Sequence, residues 1–136
     1  MFQAPPLTIT RDSDGFPYPI PGVQLAKFAS FTFAVAAGTA LFTLPNNAEI
    51  VGWMLNVTTA FNATTTNTLD VGVAGAQQQF AATLALGTAG QFVTGFVGTQ
   101  LFTRLPGVTT VTVRYNQTGT AATAGAANLL VEYIIR

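Results

Sequence analysis

The sequence predicts an all-β domain, an antiparallel sandwich of two sheets, preceded by an extended N-terminal arm. Three observations support this prediction. Hydrophobic residues alternate with polar ones through most of the chain, turn-forming residues separate the alternating segments, and one order of segments occurs twice. With 136 residues, of which 49% are hydrophobic, the chain has room for one domain with a substantial core.

Residues 1–25 are predicted to form the arm and residues 26–136 the β-sandwich domain. Five of the seven prolines lie in the arm: Pro5, Pro6, Pro17, Pro19 and Pro21. Proline lacks an amide donor and holds the preceding residue in an extended conformation, which disfavours a regular helix or sheet strand. Two aromatic residues, Phe16 and Tyr18, are not expected to stay in water. The arm therefore either packs on its own domain or reaches a neighbouring subunit.

Period-two alternation marks the strands. The clearest examples are Phe31–Val35, Val51–Val57, Leu69–Val73, Val111–Tyr115 and Leu129–Ile135. Alternation rich in valine, threonine and aromatic residues is typical of half-buried strands. Clusters of proline, glycine and asparagine lie between these segments and predict turns. Only Ala74–Leu86, which is rich in glutamine and alanine, is predicted to contain a short turn or helix.

A sequence echo relates the two halves of the chain. The segment Gly38–Pro45 resembles Gly98–Pro106, and each copy is followed by a strand that ends in an aromatic residue and asparagine. In both halves a threonine-rich loop then leads to a further strand. The repeated order of strand, turn, strand, loop and strand suits a two-sheet sandwich in which related strands occupy related places.

The low charge of the chain excludes several classes of function. Only 7% of the residues are charged, five basic and five acidic, against about 25% in an ordinary domain. Because no cluster of Lys and Arg is present, we expect neither nucleic acid nor an anionic membrane as a partner. The uncharged stretch Phe28–Ala48 is interrupted by Gly38 and Pro45 and predicts no membrane span. Little repulsion opposes contact between copies, so we expect partners to cover part of the surface.

The residue inventory also argues against catalysis. The chain contains neither histidine nor cysteine, which excludes catalytic triads, Cys–His pairs and histidine-containing zinc sites. Asp70 and Glu132 occupy equivalent places in the two halves and could form a two-carboxylate site. The simpler interpretation is that both are solvated, outward-facing residues, paired with Arg114 or Arg136. We therefore predict no enzymatic activity, no cofactor and no metal, and a core position for Trp53.

Four phrases of the sequence carry a resemblance to a known group of proteins: Leu44–Gly52, Val57–Asn62, Leu69–Val73 and Thr123–Tyr133. The chain resembles small structural proteins of tailed bacteriophages, in particular capsid decoration (cement) proteins with a jelly-roll-like sandwich. The resemblance implies a homotrimer on the outer surface of the virion capsid that binds where major capsid proteins meet. It also implies an arm that contacts the shell or a neighbouring subunit, with Phe2, Phe16, Tyr18 and Ile20 as the expected contact residues.

Two alternatives remain open at this stage. A receptor- or glycan-binding domain of a tail fibre or spike would carry exposed aromatic residues at one end of the sandwich. Another minor structural protein of the head or tail would have the same strand pattern as a cement protein.

Overall fold

The computed structural model describes residues 24–90, 92–93, 96–98 and 101–135. In these residues the chain forms eight strands, arranged in two antiparallel sheets of four. The strands are β1 (Gln24–Thr32), β2 (Thr39–Leu44), β3 (Ala48–Thr59), β4 (Thr66–Val73), β5 (Ala76–Ala85), β6 (Phe92–Val93), β7 (Thr109–Thr118) and β8 (Ala126–Ile135). Within the same residues no helix is long and apolar enough to cross a membrane. The predicted all-β sandwich is confirmed.

The strand order is that of a jelly roll. The first sheet has the order β1-β8-β3-β6 and the second sheet the order β2-β7-β4-β5. The first strand thus pairs with the eighth, the second with the seventh, the third with the sixth and the fourth with the fifth. Such an order results when one long antiparallel hairpin is rolled up so that its two arms wind through both sheets.

The core lies between the sheets and follows from the alternation in the central strands. The central inward residues of β3 and β8 in the first sheet are fully buried against those of β4 and β7 in the second. Aromatic residues close the core at its margins. Phe61 lies between Phe31 and Tyr115, at ring distances of 6.0 and 4.9 Å, and Trp53 packs against Phe80 and Phe96 at 5.2 and 5.0 Å. The predicted core role of Trp53 is therefore confirmed.

Of the short turn or helix predicted within Ala74–Leu86, the helix is wrong, because most of this segment is strand β5. A turn at Ala74 and Gly75, the latter with a φ of 83°, joins β4 to β5 in a hairpin. Glutamine and alanine have little intrinsic preference for a strand. As a strand, however, the segment forms backbone hydrogen bonds with β4 and buries its apolar side chains at the same time, and a helix at this place could not do both. Tertiary pairing overrides local propensity.

The sequence echo corresponds to the fold in part. Its later strands, β3 and β4 in one half and β7 and β8 in the other, are the central strands of the two sheets. The first members do not correspond, since Gly38–Pro45 contains β2 whereas residues 101–105 form a loop beside β3. Strand β1 begins at Gln24, and the rest of the predicted arm lies outside the described residues.

Candidate interaction surfaces

The two carboxylates that might have formed a catalytic pair lie on opposite sides of the molecule. Asp70 is in β4 of the second sheet and Glu132 in β8 of the first. Their neighbours Val71 and Val131 point into the core, so both carboxylates point outward. The whole thickness of the sandwich, about 10 Å between the sheets, separates them. The hypothesis of a two-carboxylate site is therefore wrong.

Asp70 is nevertheless not the solvated residue that the alternation predicts, since its side chain has no exposed area. The predicted pairing with Arg114 is confirmed: the guanidinium donates two hydrogen bonds to Oδ2, at 2.9 Å from Nε and 2.6 Å from Nη2. Asn116 donates a third at 3.0 Å, and the backbone N–H of Thr83 donates to Oδ1 at 2.9 Å. Burial alone raises the pKa of Asp70, but the hydrogen bonds from Thr83, Asn116, Arg114 and Gln78 hold this pKa below its usual value.

A bulge in β5 explains the burial of Asp70. Leu69 pairs with Leu84 and Val71 with Ala81, so two residues of β5, Ala82 and Thr83, lie opposite Asp70. Thr83 has a φ of 53°, a conformation that β-branched residues rarely adopt. Its N–H reaches the carboxylate in this conformation, and the charged acceptor offsets the strain. Asp70 is thus a structural clamp between β4, β5 and β7.

The outer face of the second sheet is a polar surface that hydrogen-bonds within itself. Pairs of threonines and asparagines connect adjacent strands: Thr43–Thr110 at 3.4 Å, Thr66–Thr118 at 2.7 Å and Asn116–Thr68 at 3.4 Å. The ion pair of the buried Asp70 with the partly exposed Arg114 belongs to the same set of contacts between neighbouring strands. This face is therefore largely polar and suited to contact with water.

The outer face of the first sheet is different. Phe28 pairs with Leu130, and Leu130 pairs with Met54, so these three side chains form one apolar row across β1, β8 and β3. Phe28 is 60% and Met54 44% exposed. The row, with Asn56 and Asn128 of the neighbouring row, lines a shallow hollow of about 140 Å³. Two large exposed apolar side chains in one row, with Leu130 between them, point to a contact surface.

The sequence reasoning missed this apolar row. The signal for it was in β8, where Leu130 and Ile134 put aliphatic side chains on the face opposite to the buried Leu129 and Val131. Strict alternation would have placed polar residues there. The predicted contact residues of the arm, Phe2, Phe16, Tyr18 and Ile20, lie outside the described residues.

A loop extends the first sheet beside the start of β3. The N–H groups of Phe102 and Leu105 donate to the carbonyls of Ile50 and Ala48, each at 2.8 Å. Phe102 is 65% exposed and has a φ of 58°. Phe28 and Phe102 are the strongly exposed aromatic residues in the described part of the chain. Phe28 lies in strand β1, whereas Phe102 lies in the loop beside β3. A sugar-stacking platform would need several such rings close together.

The described residues also hold no cluster of three or more acidic side chains that would suit a metal ion.

Comparison with known proteins relates this fold to phage capsids. No protein-family model matches the chain, and no curated protein matches it. Among solved structures, the chain is similar to one in the cyanophage Pam1 capsid asymmetric unit, with a TM-score of 0.64 and 23% identity over 96% of this chain and 99% of that one.

Two further capsid structures contain similar chains. For the capsid of Ralstonia phage GP4 the TM-score is 0.61, with 25% identity over 88% of this chain and 90% of that one. For the acid-stable capsid of Helicobacter pylori bacteriophage KHP30 the TM-score is 0.60, with 21% identity over 85% of this chain and 90% of that one. The jelly roll described above is thus a fold that occurs in the capsids of several phages.

Proposed function

We propose that this protein is a structural component of a bacteriophage capsid, and specifically a decoration (cement) protein. In this role it binds as a homotrimer to the outer surface of the assembled head, at junctions of major capsid proteins. The N-terminal arm, with Phe2, Phe16, Tyr18 and Ile20, adds contacts to the shell or to a neighbouring subunit.

The observation that carries this proposal is the extent of the similarity to capsid chains. The alignment with the Pam1 capsid chain covers nearly all of both chains, so the two have almost the same length. The likeness therefore concerns a whole small capsid component and not a domain within a much larger one. The likeness to the Ralstonia phage chain also extends over most of both chains.

The physical character of the domain supports a role through contact and not through chemistry. Its charged residues are few, and one buried carboxylate, Asp70, is held by hydrogen bonds from Arg114, Asn116 and Thr83. Many copies of such a neutral surface can crowd on a capsid without mutual repulsion. A rigid sandwich also loses little conformational entropy when it binds.

A cement protein strengthens a capsid by mass action. If it binds the assembled lattice but not free shell subunits, each bound copy adds its binding free energy to the assembled state. Many such contacts together raise the free energy that is needed to open the shell. No catalysis is required.

Thermal release of the genome tests this function. Particles that lack this protein should release DNA, detected by a fluorescent dye, at a lower temperature than complete particles. Adding the purified protein back should restore the higher temperature, with a saturable stoichiometry. Equal release temperatures with and without the protein would refute the cement role. Bound protein located on a tail fibre in a particle reconstruction would favour the receptor-binding alternative.

A further inference from the structure

We propose that copies of this protein associate through the outer face of the first sheet, where the apolar row of Phe28, Leu130 and Met54 is the centre of the contact. This inference rests on the homotrimer in the proposed function and assigns a surface to it. The partner that we assign to this face is a second copy of the chain.

The first argument is the contrast between the two outer faces. The face of the second sheet satisfies its polar groups by internal hydrogen bonds between threonine, asparagine, arginine and aspartate side chains. The face of the first sheet places Phe28, Leu130 and Met54 in one row, with the half-buried Ile134 further along β8. Apolar groups gain from leaving water, so the first face is the one that association stabilises.

The second argument is the position of two charges beside the apolar row. Glu132 lies on the outer face two residues beyond Leu130 along β8, in the next row, between Ala26 of β1 and Gly52 of β3. Lys27 follows Ala26 on β1 and pairs with the buried Val131, so it points toward the inner side of the sheet, at an edge where β1 has no further strand partner among the described residues. Neither Lys27 nor Glu132 forms an ion pair with another residue in the described part of the chain.

These two charges cannot neutralise each other within one copy, because they project from opposite faces of the sheet. They can do so between copies, when the β1 edge of one copy packs on the outer face of the next. Lys27 then approaches the partner's Glu132 while Phe28 and Met54 are covered. A shell protein would have to provide one acidic and one basic partner for these two residues. A second copy of the chain provides both, because it carries one Glu132 and one Lys27.

The same geometry favours a closed ring. An inward-pointing lysine on an edge strand opposes direct pairing of two β1 edges, since it would place two like charges side by side. Copies therefore meet edge to face, which is a heterologous contact. Heterologous contacts with a suitable rotation close into rings such as trimers.

The outer face of the first sheet supplies part of the area that this contact needs. Strands β1, β8 and β3 contain 9, 10 and 12 residues. With a strand spacing of about 4.8 Å and a rise of about 3.3 Å per residue, their outer face projects an area of roughly 450 Å². This is a little more than half of the roughly 800 Å² per partner of a standard stable interface, so the β1 edge and the relief of the side chains have to supply the rest.

Charge insertion into the apolar row tests the proposal. We expect purified wild-type protein to have the molar mass of three copies by light scattering, and Phe28→Glu and Met54→Glu to have the mass of one. Val108→Glu is the matched control, because Val108 is 70% exposed and immediately precedes β7 of the second sheet. Its mass should not change. The fluorescence of Trp53, the single tryptophan, shows whether each variant is folded.

Three results would overturn the proposal: a monomeric wild type at high concentration, an unchanged mass of Phe28→Glu, or equal dissociation of Val108→Glu. If a deletion of residues 1–23 dissociates the protein while Phe28→Glu does not, the arm and not this face joins the copies. If Phe28→Glu keeps its mass but no longer binds capsids, the face meets the shell instead.

Charge reversal provides an independent test. Lys27→Glu and Glu132→Lys should each raise the dissociation constant of the oligomer about tenfold, and the double variant should return it to near the wild-type value. Additive losses in the double variant would contradict the proposed pairing. A monomeric protein that still restores the thermal resistance of capsids would refute this inference and the homotrimer but not the cement role, whereas a trimer without effect on genome release would refute only the cement role.

Discussion

Asp70→Ala removes the carboxylate that joins three strands of the second sheet. Besides the hydrogen bond from Gln78, Asp70 accepts one from the Thr83 N–H, two from Arg114 and one from Asn116. A hydrogen bond to a charged group contributes about 1.5–3 kcal/mol. The two from Arg114 count for less, because this side chain is 37% exposed and water can replace its partner.

Most of the loss in the free energy of unfolding therefore comes from the donors at the β5 bulge, which Asp70→Ala leaves without an acceptor. We expect the free energy of unfolding to fall by about 3–4 kcal/mol, a large share of the roughly 5–15 kcal/mol of a typical domain. The melting temperature should fall by about 10–15 °C for a chain of this size.

Urea unfolding followed by Trp53 fluorescence measures this change, since Trp53 packs against Phe80 and Phe96. All variants should be compared at one protein concentration, because association adds to the apparent stability. Thr118→Ala is the control: it removes one exposed hydrogen bond on the same outer face, to Thr66, and should cost no more than about 0.5 kcal/mol. An Asp70→Ala variant within 1 kcal/mol of wild type would refute the clamp.

Two further predictions follow from particular residues. Because the folded-state pKa of Asp70 is lowered, its contribution to stability should be complete above about pH 5 and should decline as the pH falls below about 4. The stability difference between wild type and Asp70→Asn should therefore shrink in acid, and a difference that is constant down to pH 2 would contradict this linkage. Gly72→Ala should destabilise the β4–β5 hairpin by about 2–3 kcal/mol, since the added Cβ would lie 2.2 Å from the Ala76 carbonyl oxygen. Gly87→Ala, whose Cβ meets nothing within 4 Å, should stay within about 0.5 kcal/mol of wild type in the same urea titration.

The strand content of the domain could be predicted because alternation is written directly into the chain. In the middle of β4, β7 and β8 every second residue is aliphatic, and these central residues are fully buried: Leu69, Val71, Val111, Val113, Leu129 and Val131. The failure at β5 has the same origin. Its core residues Phe80, Ala81 and Leu84 do not alternate regularly, because bulges shift the register twice along the strand.

The candidate contact surface could not be predicted from any single segment. Phe28, Met54 and Leu130 are far apart in the sequence and become neighbours only through the pairing of β1 with β8 and of β8 with β3. Asp70 illustrates the same limit. Its position in β4 predicts an outward residue, but the bulge of β5 and the side chains of β7 bury it.

By itself, the sequence determined that this protein is an all-β domain with few ionisable groups, because alternation and residue inventory are properties of the chain read in order. Only the tertiary structure decided which strands are neighbours, and therefore that one outer face is polar and internally bonded while the other carries an apolar row. Strand pairing depends on hydrogen bonds between residues that are distant in the sequence, and the local pattern of one strand does not specify which other strand it pairs with.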